Sequence, residues 1–176
     1  MRLANGFSLL ELVVVIAIIS ILVAVALDRL LPYLDEAERV AVLRVEGQLR
    51  SQLMMEAAER IVRGEAASLT ELEGSNPVNF LLEPPKNYLG TVTETGDAPP
   101  RHWIFDDNRR QLVYRLGEAW SLDRNNDGLD DPAFSVRVAF DDCDGDRRFE
   151  PLNDELYGVR LERVGGNAWL AGAAPN

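Results

Sequence analysis

The chain has 176 residues, 47% of them apolar, with 29 acidic against 18 basic side chains and a formal charge of −11. That length suits one compact domain plus an appendage, and an acidic balance without clustered Lys or Arg argues against a nucleic-acid partner, which would need phosphates neutralised. The single cysteine, Cys143, excludes a disulfide within the chain and is expected to be a small buried thiol.

The first six residues, MRLANG, carry one charge, Arg2, which together with the N-terminus places this leader in the cytoplasm. From Phe7 to Leu27 the only charged residue is Glu11. As a helix this run is about 31 Å long, the thickness of a bilayer's hydrocarbon core. Its many β-branched residues, Val13 to Ile16, Ile18, Ile19 and Ile21, disfavour helix in water. In lipid the backbone must satisfy its own hydrogen bonds, and helix is enforced. Asp28 and Arg29 end the run, so residues 7–27 are expected to span a membrane. Glu11 inside that span costs roughly 2.5–3.5 kcal/mol, which calls for a cationic partner. Gly6, small and flexible, stands directly before the run, where a protease cut is accommodated.

The string GFSLLELVVVIAIISIL, residues 6–22, resembles the type IV prepilin signature shared by pilins and type II secretion pseudopilins. The resemblance implies that a prepilin peptidase cuts between Gly6 and Phe7 on the cytoplasmic face and that Phe7 is N-methylated. Glu11 matches the family's glutamate at the fifth mature position, whose role is to neutralise the N-terminus of a neighbouring subunit as a filament grows. The partners implied are other pilin or pseudopilin subunits and an inner-membrane assembly platform, with the remainder of the chain periplasmic. The alternative is a secreted calcium-binding protein whose ordinary signal peptide is cleaved after Ala26, since Ala24-Val25-Ala26 fits a signal-peptidase site. A one-arginine n-region, an over-long apolar stretch and Glu11 within it count against that reading.

Residues 28–62 read as an amphipathic continuation of the helix. Leu34, Ala37, Ala41, Val45, Leu49, Leu53, Ala57 and Ile61 recur at spacings of three and four and trace one apolar stripe. Glu36, Glu38, Arg39, Arg44, Glu46, Arg50, Glu56 and Glu59 fall mostly on other faces. Pro32 removes a backbone donor and is expected to kink or unwind the helix near Asp28. Termination is expected near Arg63-Gly64.

Residues 63–176 form the head. Glycines and prolines between Gly64 and Pro100 predict a connecting loop, with a short helix at Pro77–Leu82. In HWIFDDNRRQLVYRL, residues 102–116, two apolar-rich runs flank a polar turn at Asp106–Arg110, and Trp103, Phe105, Leu112 and Tyr114 alternate as in a half-buried hairpin. This hairpin also resembles segments of minor pilins of mannose-sensitive haemagglutinin-type pili. Phe134–Phe140 and Leu156–Val164 read as two more strands, and Trp169-Leu170 as a last one. The expected fold class is α+β and pilin-like: a long N-terminal helix packed on a small antiparallel sheet of about four strands.

Two acidic loops are candidate calcium sites. Asp123, Asn125 and Asp127 followed by Gly128 fit the start of a calcium loop, with alternating oxygen ligands and a glycine for the sharp turn. The twelfth position is Phe134 where an EF-hand needs a bidentate glutamate, so a true EF-hand is excluded. Asp142, Asp144 and Asp146, with Asp141 before them, form the second cluster. Asp, Asn and Gly equally favour plain solvated turns. His102 is the only histidine, and no nucleophile, P-loop or zinc spacing appears, so no enzymatic activity is expected.

Overall fold

The computed structural model describes residues 8–93, 98–117, 131–141, 143 and 155–171. The chain divides into two compact units, Met1–Val40 and Ala41–Asn176. Helix α1, Leu9–Val62, supplies the described part of the first unit and the opening of the second.

In the first unit, Leu9–Leu27 is long and apolar enough to cross a membrane. Its large apolar side chains, from Leu9 at 80% exposure to Val15 at 39%, are left uncovered by the described residues. A bare apolar cylinder of that size is stable only in lipid or against other helices. Residue 32 lies within α1, so the unwinding expected at Pro32 does not occur. Losing one donor removes one rung from the ladder, and the turns on either side remain bonded.

The second unit is α+β. Its core unites Val42, Leu49, Leu53 and Ala57 of α1 with Trp103, Phe105, Leu112, Tyr114, Phe134, Val136 and Leu161 of the sheet. The helix therefore buries a face slightly rotated from the expected stripe. Leu49, Leu53 and Ala57 are on it, whereas Leu34, Ala37, Ala41 and Ile61 are exposed. Val42 and the charged Glu46 occupy the face instead.

The sheet has five strands in the order β1-β2-β3-β4-β5 (Tyr88–Val92, Trp103–Asp106, Gln111–Tyr114, Ala133–Asp141, Glu155–Gly165). The β2–β3 hairpin pairs Trp103 with Tyr114 and Asp106 with Gln111, as the alternation predicts. It is buried on both faces, because Ile104, Val113 and Ala133 form a second small cluster with Val92 and Ala98. Three of the four pairings are antiparallel, as expected, and β1, a fifth strand, runs parallel to β2. Trp169-Leu170 is not a strand but part of a short helix, α2 (Asn167–Leu170). Gly166, at φ 65°, ends β5 and accepts the Leu170 N–H at 3.1 Å, which turns the chain into helix. Trp169 then stacks on Tyr114 with ring centroids 6.4 Å apart. The connecting segment holds two 3-10 turns, Ala66–Leu72 and Pro77–Phe80, the second starting at Asn76, whose side chain caps the Val78 N–H. Cys143, expected to be buried, is exposed.

Candidate functional site

The chemistry of the chain concentrates at the start of α1. The Leu12 N–H donates to the Ser8 carbonyl at 3.1 Å, so Ser8 stands at the N-cap and Glu11 at the third position of the first turn. Ser8-Leu9-Leu10-Glu11 has the spacing of a capping box, in which a serine and a glutamate answer the unpaired N–H groups of a helix start. That signal was present in the sequence and went unread there. The helix start also carries a partial positive charge, which favours a carboxylate in the first turn.

Glu11 is exposed, and no described residue gives its carboxylate a hydrogen bond or an ion pair. Around it are Leu9, Leu10, Leu12 and Val15, all exposed apolar side chains. The helix start offsets only a fraction of a lipid-embedded charge: about 0.3–1 kcal/mol against roughly 2.5–3.5 kcal/mol. In lipid the remainder would not be met by any described residue. Gly6 and Phe7, the expected processing site, lie outside those residues.

A second carboxylate on α1 is met very differently. Glu46, 2% exposed, receives Arg163 Nε on Oε1 at 2.8 Å and Arg163 Nη2 on Oε2 at 2.6 Å, while Arg50 Nη2 adds a bond to Oε1 at 2.9 Å. The fork-on-carboxylate geometry ties α1 to β5. Donating to the Glu46 carboxylate raises the Arg163 guanidinium above its ordinary value, with burial opposing the rise. Glu46 belongs to the set expected mostly on faces other than the apolar stripe; the positions of Val42 and Leu49, four before and three after it, mark it as core-facing.

Of the candidate calcium ligands, Asp123, Asn125, Asp127, Asp142, Asp144 and Asp146 all lie outside the described residues. Their neighbour Asp131 is described and buried at 2%: Arg115 Nη1 lies 2.6 Å from its Oδ2, and the Leu116 N–H donates to Oδ1 at 3.0 Å. These bonds engage both of its oxygens in holding residues 115 and 131 together. Asp141 is exposed and accepts from the Tyr157 hydroxyl at 3.3 Å. Among the described residues no three acidic, histidine or cysteine side chains converge as a metal site would require. His102 sits one residue before β2, its Nδ1 2.8 Å from the Pro100 carbonyl.

Comparison with known proteins bears on the N-terminal segment. Residues 1–27 match the family model described as the prokaryotic N-terminal methylation motif, and the match distinguishes no subtype. No curated protein and no solved structure matches the chain.

Proposed function

Because residues 1–27 carry the N-terminal methylation motif of type IV pilins and pseudopilins, we propose that the chain is a structural filament subunit. It is inserted in the inner membrane through residues 7–27, with its N-terminus cytoplasmic and its head periplasmic. A prepilin peptidase clips it between Gly6 and Phe7 and methylates the new amine. The assembly platform then packs its apolar helix among those of neighbouring subunits.

The observation that carries this reading is Glu11: an exposed carboxylate in the first turn of an apolar helix, with no partner among the described residues. Clipping before Phe7 creates an amine of the required sign. A neighbour's amine set against the carboxylate removes two unpaired charges from lipid at once. The uncovered apolar side chains of Leu9–Leu27 support the packing of helix on helix.

Two measurements test the proposal. Mass spectrometry of the mature chain should find methylated Phe7 at the N-terminus; a chain beginning at Leu27 would establish the secreted form instead. Glu11→Leu should leave the subunit processed and membrane-inserted but excluded from sheared filaments. Normal incorporation would refute the assigned role of Glu11.

A further inference from the structure

Strand β4 outruns its neighbour β3. Their ladder ends at Leu112–Phe134, where the chain turns away through Arg110, whereas β4 continues to Asp141. On one side β4 is paired with β5 to its end. On the other, no described strand lies beyond Phe134. The backbone groups of alternate residues point to that side. The Pro132 carbonyl accepts the Tyr114 N–H there at 2.8 Å, and Val136 and Val138 share its parity. The stretch FSVRVAF, residues 134–140, is β-branched and aromatic, with one charge and no proline or glycine. An open edge of that composition is a template for another strand.

Two residues of the connecting segment occupy this edge. The Gly74 N–H donates to the Val136 carbonyl at 2.9 Å. Glu73 Oε2 accepts the Val138 N–H at 2.6 Å, and its Oε1 accepts from Arg137 Nη1 at 2.9 Å. The buried Leu72 fixes the segment just before them. Gly74, at φ 62°, then passes beneath the Arg110 stem, whose Cβ is 3.2 Å from where a Cβ of residue 74 would stand. The Glu73 and Arg137 side chains are 42% and 47% exposed, so their ion pair adds little stability. What the carboxylate does is take up a backbone donor that a neighbouring strand would otherwise use.

We propose that Glu73 guards this edge and keeps β4 closed to strand addition by a second copy of this chain. The register identifies that partner. Antiparallel pairing of two β4 strands about Val138 would set Val136 against Phe140 and Arg137 against Ala139, so no like charges meet. Each Val138 would exchange its N–H and carbonyl with its counterpart, and that N–H is the one Glu73 holds. Glu73, Gly74 and β4 all belong to the second unit, so the guard acts whether or not the chain enters a filament.

The test compares Glu73→Ala with two further variants of the full chain. Gly166→Ala is expected to weaken the head while leaving the edge guarded. Glu73→Ala with Val138→Pro removes the outward N–H itself and leaves the bonds to β5 in place. Each is purified in detergent and followed well below its melting point by light scattering and by the infrared band of intermolecular strands. Glu73→Ala should associate roughly tenfold more than the parent. Gly166→Ala should stay at the parental level, and the proline variant should return to it. Parental association of Glu73→Ala overturns the guard. So does equal association of Gly166→Ala, which would trace the effect to lost stability, and so does association that persists with Val138→Pro.

Discussion

Replacing Arg163 with alanine strands Glu46. The carboxylate is 2% exposed and loses two of its three hydrogen bonds, keeping only the one from Arg50, whose side chain is 51% exposed. Breaking a buried pair from one side costs about 3–5 kcal/mol. Arg163 is itself 37% exposed, so solvent already screens part of the interaction, and about 2–3 kcal/mol is the appropriate range. For a folded unit of about 140 residues, ~1 kcal/mol moves the midpoint by roughly 3–5 °C, so a fall of roughly 6–15 °C is expected. The assay is thermal unfolding of the full chain in detergent, followed by near-ultraviolet circular dichroism of Trp103 and Trp169, which report packing of the head rather than helix content. Glu46→Met removes the charge and keeps the volume, so its cost should be small, and Arg163→Ala made on top of it should add little. The pairing raises Arg163, so its contribution is complete at every pH below the unfolded value and fades only in strong alkali. The Arg163→Ala deficit should therefore be equal at about pH 6 and about pH 9. A midpoint within about 2 °C of the parent, or effects that add in the double variant, would refute the reasoning.

Gly166→Ala should destabilise the head by about 2–4 kcal/mol, read as a lower urea midpoint, because φ is 65° and a Cβ would stand 2.5 Å from the Pro132 Cα and backbone N. An unchanged midpoint would mean that β5 and α2 are joined differently. Asp131→Asn should cost about 2–3 kcal/mol by removing the buried charge that Arg115 Nη1 meets at 2.6 Å. That loss should be the same with calcium and with chelator; a deficit seen only with calcium would make Asp131 a metal ligand. The same melts test the candidate calcium loops, since calcium held at Asp123, Asn125 and Asp127 or at Asp142, Asp144 and Asp146 would raise the parent's midpoint.

What could be read from the sequence was local. Trp103, Phe105, Leu112 and Tyr114 alternate over a few residues, and the hairpin they specify forms in the expected register. Strands β4 and β5 extend only one residue beyond the expected ends on each side. The misses depend on distant partners. Strand β1 is short, is interrupted by Gly90 at φ 101° and pairs in parallel with β2, so nothing in residues 88–92 announces it. Trp169 and Leu170 have the composition of a strand, and it is Gly166 packed against Pro132 that makes them helical. Glu46 is the sharpest case. A glutamate reads as solvated until an arginine more than a hundred residues away is seen to cover it.

The two glutamates also bear on each other. Both sit on α1 in apolar surroundings, and both face the same energetic problem, a charge removed from water. At Glu46 the fold answers with two guanidiniums and three hydrogen bonds, all within the chain. At Glu11 the described residues provide no cation and no hydrogen bond, although the cost in lipid is several times what a helix start can offset. A chain able to satisfy one carboxylate so fully has no chemical obstacle to placing a lysine or arginine one turn from the other. In the filament proposed above, leaving Glu11 open would make insertion of the lone subunit costly and pairing with an incoming amine favourable, so that its charge would drive assembly in a way no internal salt bridge could.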